Sequence, residues 1–228
     1  MPRISVKIVG ASGQGLNSIG AIVAKGLKRS GYCVFGYREY PSLIKGGHAS
    51  YQLDVSNERV RSTETKVNVL VALNHHGLEL NMEELKEGGI VLHVTPGWQF
   101  PERHQKLIKE RSLRVLYFPV DDILTRLGGK AILSNVLLTA FVWSMLDQEV
   151  DALKSLVGEK FAKKKALLEL NMRCIDEDIP SWIRKKGRSQ SGCHRRIRNS
   201  PATSLSPVAK QWASAQCMRG CASMPAIR

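Results

Sequence analysis

Two stretches carry the residues best suited to chemistry. The first is "GASGQG", Gly10 to Gly15, with the spacing G-x-x-G-x-G. A glycine-rich turn that opens a helix can aim backbone N–H groups at an anion. The spacing is not the dinucleotide fingerprint G-x-G-x-x-G, and no Lys-Ser/Thr pair completes a Walker loop. A plain tight turn needing positive φ explains the same residues equally well. Gly13, Gln14 and Gly15 are the candidate contacts here, and Asn17 or Ser18 is the expected cap of the helix.

The second stretch is "YREYPSLIKGGHASYQ", Tyr37 to Gln52. Pro41 fixes a turn and biases Tyr40 to an extended conformation. Gly46 and Gly47 allow close approach of the backbone to a ligand or partner, and Lys45 and Arg38 suit phosphate or carboxylate. An exposed loop with an ordinary ion pair is the plain alternative; the length and composition of the stretch favour function. Arg38, Tyr40, Lys45, Gly46, Gly47 and His48 are its candidate contacts.

A third feature is the pair His75 and His76 after "VNVLVAL", at a strand's carboxyl end, where α/β sheets bind ligands. The pair lacks a third ligand nearby, so it reads as the start of a helix and not as a metal site. No Ser-His-Asp order and no paired catalytic carboxylates stand out. The chain by itself shows no complete reaction centre: no catalytic residue and no metal ligand is assigned.

The elements that must position these residues alternate along the chain. "ISVKIVG" reads as a strand covered on both faces. "LNSIGAIVAKGLKRSG" has helical spacing, with Leu16, Ile19, Ile22, Val23 and Leu27 on one face and Gly31 closing it. "YCVFGY" and the alternating "SYQLDVS" are strands, followed by a turn at "NERV" and "RSTET" as a hairpin partner. "VNVLVAL" is a buried strand, "LNMEELKEG" a helix, and "GIVLHV" a strand followed by the loop "TPGWQFP". "ERHQKLIKERS" is a helix, "LRVLYFPV" a strand, and "KAILSNVLLTAFVWSMLD" a long apolar helix. "EVDALKSLVGEKF" and "KKKALLELNMRCIDED" are amphipathic closing helices. The alternation predicts an α/β, Rossmann-like layered domain with a mostly parallel sheet over residues 1–183.

The bulk numbers narrow the function classes. A 228-residue chain with 43% hydrophobic residues fits one sizeable core. No apolar run is long enough for a transmembrane helix, and the start lacks the pattern of a signal peptide, so a cytoplasmic location is the default expectation. The net charge of +14 invites a nucleic-acid reading, but ten of the basic residues and no acidic ones fall in residues 184–228. Residues 1–183 hold 24 basic and 20 acidic side chains, a net of +4, which is ordinary. Neither nucleic acid nor membrane is therefore an expected partner. Cys33 and Cys174 sit in apolar, periodic surroundings; Cys193, Cys217 and Cys221 belong to the tail, where "CMRGC" has no zinc-finger histidines. No group of four cysteines stands ready for an iron–sulfur cluster.

Residues 10–56, "GASGQGLNSIGAIVAKGLKRSGYCVFGYREYPSLIKGGHASYQLDVS", strongly resemble the gamma domain of 2-oxoacid:ferredoxin (acceptor) oxidoreductases. The resemblance covers roughly residues 3–180, and its most specific parts are G-x-G-Q-G, Tyr-Arg-Glu-Tyr-Pro-Ser and Lys-Gly-Gly-His. "VNVLVALN", a Pro-containing loop after "GIVLHV", and "SNVLLTAFVW" agree with it, with Asn135 where the family commonly has Asn. The glycine turn departs slightly, with Ala11-Ser12 where many relatives have Gly or Glu. The resemblance implies a subunit of an enzyme that oxidatively decarboxylates a 2-oxoacid to an acyl-CoA. In the complex it implies thiamine diphosphate with Mg2+, [4Fe–4S] clusters and CoA; none of these is held by this domain alone. It implies thiamine-binding alpha and beta subunits or domains as partners and ferredoxin as electron acceptor. The stretch Tyr37 to Gln52 would then face a subunit seam or the CoA pocket. A stand-alone protein binding an anionic nucleotide or CoA-like ligand is the alternative.

After Ile183 periodicity and acids vanish, and residues 184–228 read as a basic disordered tail. Read one base out of frame, residues 207–228 are compatible with "GSEAVGLGAVYAGVRFYAGYP". That string is like the start of the thiamine pyrimidine-side domain to which such gamma domains are often fused. The tail is therefore expected to be a frameshift product of a gamma–alpha fusion, with a genuine basic tail as the alternative.

Overall fold

The computed structural model describes residues 3–40, 47–126, 128, 133–146, 148–162 and 165–178. Six strands form one sheet: β1 (Ile4–Ala11), β2 (Cys33–Glu39), β3 (His48–Ser56), β4 (Val67–Ala72), β5 (Leu85–His93) and β6 (Arg114–Tyr117). Their order is β2-β3-β1-β4-β5-β6. β3 pairs antiparallel with both β1 and β2, while β1, β4, β5 and β6 pair in parallel. Only β3 runs against the other five, so the expected mostly parallel α/β sheet is what forms.

Seven α-helices lie against it: α1 (Leu16–Arg29), α2 (His75–Asn81), α3 (Glu102–Glu110), α4 (Val120–Arg126), α5 (Ser134–Met145), α6 (Val150–Phe161) and α7 (Lys165–Arg173). Strand residues alternate between two apolar layers, as the period of two requires. Val6, Ile8, Val69, Val71, Ile90 and Leu92 enter the larger layer with α1, α4, α5 and α6. Val9, Leu70, Ala72 and Val91 enter the smaller one, beside Leu78 of α2 and Leu107 and Ile108 of α3. The five residues expected on one face of α1 are all buried. That helix ends as predicted at Gly31, which has φ 91°. Gly31 N–H donates to Lys28 O and Tyr32 N–H to Leu27 O, at 3.2 and 3.1 Å, the paired bonds of a Schellman cap.

Three expectations need correction. "RSTET" is not a strand. Its backbone is taken by side chains of β3 and of Arg3, just before β1: Arg3 donates to Ser62 O, Gln52 Nε2 donates to Glu64 O at 2.8 Å, and Glu64 N–H donates to Asp54 at 3.3 Å. "LNMEELKEG" is not one helix. Asn74 starts α2 earlier by accepting from Gly77 N–H at 2.7 Å, a 3-10 turn at Met82–Glu84 closes it, and Leu85 already begins β5. Finally, the strand expected at Leu113–Val120 ends at Tyr117, and α4 begins at Val120 and runs through residues 121–126, to which the pattern gave no element. Among the described residues no helix is long and apolar enough to cross a membrane. The tail expected to be disordered, residues 184–228, lies outside the described residues.

Candidate functional site

β1 is followed by α1, which packs in the larger apolar layer, and β4 by α2, which packs in the smaller one. The chain thus leaves two neighbouring parallel strands toward opposite faces, and a crevice opens at their carboxyl ends. The glycine turn forms one wall. Leu73–His75 forms the other. β3 arrives from the side, because its first residue, His48, pairs with the last of β1, Ala11.

This register brings the two candidate stretches together. Ser12 N–H donates to Gly47 O at 3.0 Å, extending the β1–β3 ladder into the glycine turn. Gly13 and Gly15 both have positive φ, 96° and 89°. At Gly15 a second constraint applies: a methyl group there would come within 2.1 Å of the Asn135 amide. Glycine is therefore required by both conformation and space. Gly15 is also the residue that caps α1, its carbonyl accepting from Ser18 and Ile19 N–H at 2.9 and 3.1 Å. Asn17 and Ser18 lie inside the first turn, so neither is the cap expected from sequence. Asn17 instead meets the Tyr40 hydroxyl at a long 3.5 Å.

Gln14 is the stitch across the crevice. Its Oε1 accepts from Ala11 N–H at 2.7 Å and from Asn74 Nδ2 at 3.1 Å. Asn74 in turn caps α2, so one short chain of bonds ties the starts of both helices. Asn135, in the first turn of α5, stands against Gly15 with its Oδ1 buried and without a protein hydrogen-bond partner. Among the described residues, this orphan acceptor and the unpartnered Nδ1 of His48 are groups of the site open to a partner from outside.

The stems of the 40–47 stretch are anchored on the other side. Glu39, the last residue of β2, accepts from Ser50 Oγ at 2.6 Å and lies 3.4 Å from Lys7 Nζ. Lys7 is nearly buried and also contacts both oxygens of Glu84, at 2.9 and 2.8 Å. The Ser50 hydrogen bond, then Lys7, hold the Glu39 carboxyl below its usual range. His48 sits 3.2 Å from Asn81 Nδ2 and 6.2 Å, edge to face, from His76. Burial first, then Lys7 and His76, depress its imidazole, so it stays neutral at pH 7.

Arg38 and Tyr40 are exposed at the mouth. The Arg38 guanidinium lies 4.8 Å from the centre of the Tyr51 ring, a cation–π geometry that fixes the side chain without a carboxylate. Lys45 and Gly46, the other expected contacts of the stretch, lie outside the described residues. His75 and His76 do begin α2, and His75 stacks on Trp98 at 5.5 Å. Among the described residues no three His, Cys, Asp or Glu side chains gather as metal ligands.

The pyruvate ferredoxin/flavodoxin oxidoreductase family matches residues 5–178. The chain belongs to that family. Over 77% of its length it is 27% identical to subunit alpha of 2-oxoacid:ferredoxin oxidoreductase 2 from Aeropyrum pernix, covering 33% of that subunit. The fold matches 2-oxoglutarate:ferredoxin oxidoreductase from Magnetococcus marinus, solved with 2-oxoglutarate, coenzyme A and succinyl-CoA bound. The TM-score is 0.68 at 23% identity, over 78% of this chain and 30% of that one. It also matches the keto/oxoacid ferredoxin oxidoreductase gamma subunit of Geobacter sulfurreducens, with TM-score 0.62 and 19% identity, over 78% of this chain and 96% of that one. The chain spans about a third of the length of the curated relatives it matches first.

Within this family fold, sequence reasoning had singled out Gln14 and Gly15, and noted Asn135, but not Asn74, the partner of Gln14. Asn74 and Asn81 were missed as site residues. Asn74 stands just before the start of α2, and the "LNHHG" run carried a usable capping signal; Asn81, the last residue of that helix, had none. Lys7 was missed because a lysine inside an apolar strand gives no hint of its acidic partners.

Proposed function

We propose that this chain supplies the gamma-type domain of a 2-oxoacid:ferredoxin oxidoreductase, as part of a gamma–alpha fusion subunit. The domain packs against thiamine-binding domains and its crevice borders the CoA pocket. In such an enzyme thiamine diphosphate supplies the decarboxylation chemistry, iron–sulfur clusters carry the electrons to ferredoxin, and CoA accepts the acyl group. This chain's residues bind and position; none of them reacts.

The observation that carries the reading is the 3.0 Å bond from Ser12 N–H to Gly47 O. It joins the glycine turn and the start of β3 at Gly47 into one surface at the carboxyl end of β1. That surface suits an anionic, extended ligand. Exposed Gly13 and the first free N–H groups of α1 offer donors. Arg38 offers a cation with no carboxylate partner among the described residues, and Lys45 adds a second charge in the same stretch. Asn135 Oδ1 offers an acceptor. Lys7 takes no part, because Glu39 and Glu84 already neutralise it.

Two facts support the assembly. The curated relatives matched first, an alpha subunit and a VorA subunit, are about three times longer than the matched region. Residues 207–228, shifted by one base, are compatible with the beginning of a thiamine-type domain. A separate gamma subunit is the second reading, favoured by the 96% coverage of the Geobacter sulfurreducens gamma chain. Sequencing the locus separates the two: no thiamine-type domain in any downstream frame leaves the separate subunit.

The test is a complex assembled with its thiamine-binding partners and carrying Lys45→Ala. Loss of a charge-assisted contact worth about 1.5–3 kcal/mol lowers CoA affinity or subunit affinity about tenfold or more. Wild-type titrations with both CoA and partner would reduce the stretch to a surface loop. A chain that purifies alone from its host and yields no viologen reduction with added partner would remove the oxidoreductase reading altogether.

A further inference from the structure

β2 is the outer strand of the sheet on the side of the candidate site, and no strand among the described residues pairs with its outer side. Gly36, Tyr37, Arg38 and Glu39 are exposed, with Tyr37 at 47%. Its inner side pairs with β3 over all seven residues, Cys33↔Ser56 to Glu39↔Ser50, without a bulge. Every second N–H and C=O of β2 therefore points outward, away from the sheet. Cys33–Glu39 holds no proline, no lysine and no bulge, and its two charged residues, Arg38 and Glu39, lie at one end.

We propose that this edge pairs with the same edge of a second copy of the chain, antiparallel about a two-fold axis through Gly36. Gly36 is the midpoint of the strand, so this register alone uses all seven residues of each copy. Two-fold symmetry normal to the sheet keeps side chains on their own face. Phe35 of each copy then lies opposite Tyr37 of the other, giving two aromatic cross-strand pairs beside the axis. Gly36 meets Gly36, with nothing to hold the backbones apart. Arg38 lies opposite Val34, and Glu39 opposite Cys33, so no like charges are opposed. A register with its axis at Phe35 or at Tyr37 uses only five residues of each copy, and one with its axis at Arg38 uses three and sets Arg38 on Arg38. The edge is thus fully self-complementary in one register, and each shift along it loses pairs. The product is a continuous sheet of two domains, with the exposed Tyr40 residues of the two copies beyond opposite ends of the paired edges.

Light scattering on the full chain over a range of concentrations tests this, and a dimer is expected. Tyr37→Lys places an edge lysine at the pairing position and should weaken dimerisation by about tenfold or more, because two aromatic pairs are lost and the edge is charged. The exposed position leaves the circular dichroism and the melting temperature unchanged. The register is read by mixing Phe35→Cys with Tyr37→Cys and mapping disulfides by peptide mass spectrometry, which separates the native cysteines. A link between positions 35 and 37 of different copies is expected, in preference to 35–35 or 37–37. A chain that stays monomeric, a dimer that Tyr37→Lys leaves intact, or a link in another register overturns the proposal. So does a monomer whose Tyr37→Lys variant binds a thiamine-binding partner more weakly, which would give the edge to that partner.

Discussion

The two halves of the sheet are built from different chemistry. β4 and β5 are apolar on both faces: Val69, Val71, Ile90 and Leu92 enter one layer, Leu70, Ala72 and Val91 the other. β3 is apolar on one face only, through Tyr51, Leu53 and Val55. Its other face presents Ser50, Gln52 and Asp54, none of them more than 5% exposed. These polar groups are buried and bonded. Gln52 Nε2 reaches Ser5 Oγ at 2.9 Å, and Asp54 takes Arg3 Nε at 3.1 Å. An apolar half tolerates small shifts of register in its energy, whereas a buried polar layer is satisfied in one arrangement only. The polar half is also where both stems of the 40–47 stretch are fixed, through Glu39–Lys7–Glu84 and His48–Asn81. The difference teaches that one half is scaffold and the other is a positioning device for the candidate site.

The sharpest way to break this comparison is to cut each half once. Leu70 is fully buried in the apolar half, and Leu70→Ala should cost about 2–5 kcal/mol of global stability in denaturant unfolding. Native-state hydrogen-exchange protection around residues 57–66 should fall only in proportion. Asp54→Ala in the polar half should cost less, about 1–3 kcal/mol, because it strands Arg3 and the Glu64 N–H rather than opening a cavity. Its signature is local: the amide of Glu64 and its neighbours should exchange faster than the core. Equal global losses with no local signature from Asp54→Ala would erase the distinction between scaffold and positioning device.

The apolar half was the more legible one. β1, β4, β5 and α1 follow from periodicity, because their buried stripes are continuous and α1 has its own glycine stop. The polar layer was not legible. Alternation in "SYQLDVS" shows that two faces differ; it does not show that the Gln52 and Asp54 face will also be covered. What covers it is "RSTET", which has no periodicity of its own and is held by side chains far away in sequence. The union of the two candidate stretches was hidden for a related reason. It depends on the β1–β3 register, a contact between residues 12 and 47 that neither stretch encodes locally. Helix α4 is different: Asp121 and Asp122 behind Pro119 were a readable start signal, outweighed by the apolar run before them.

The smallest expected effect sharpens the comparison through pH. His104 lies on the apolar side of the fold, in the first turn of α3, only 1% exposed, and neither ring nitrogen has a protein hydrogen-bond partner among the described residues. Burial first, then Arg103, holds its imidazole below the ordinary value, against the weaker pull of Glu79 and Glu83. The unfolded chain therefore binds more protons than the folded one just below the ordinary histidine pKa. Stability from this group is whole above about pH 6.5 and is lost as pH falls through the folded value. His104→Leu removes the titration and leaves no unpaired polar atom behind. At pH 8 it should be neutral or slightly stabilising, since an unsatisfied buried ring gives way to an apolar side chain. Between pH 7 and 5 the fall in denaturation midpoint should be shallower than in the parent chain. The slope that remains belongs in part to His48, in the polar half, where Asn81 contacts one ring nitrogen and the ring is depressed by burial, Lys7 and His76. An acid limb equally steep in His104→Leu would show that the buried imidazole is hydrogen-bonded in solution, and that the apolar half hides a polar contact of its own.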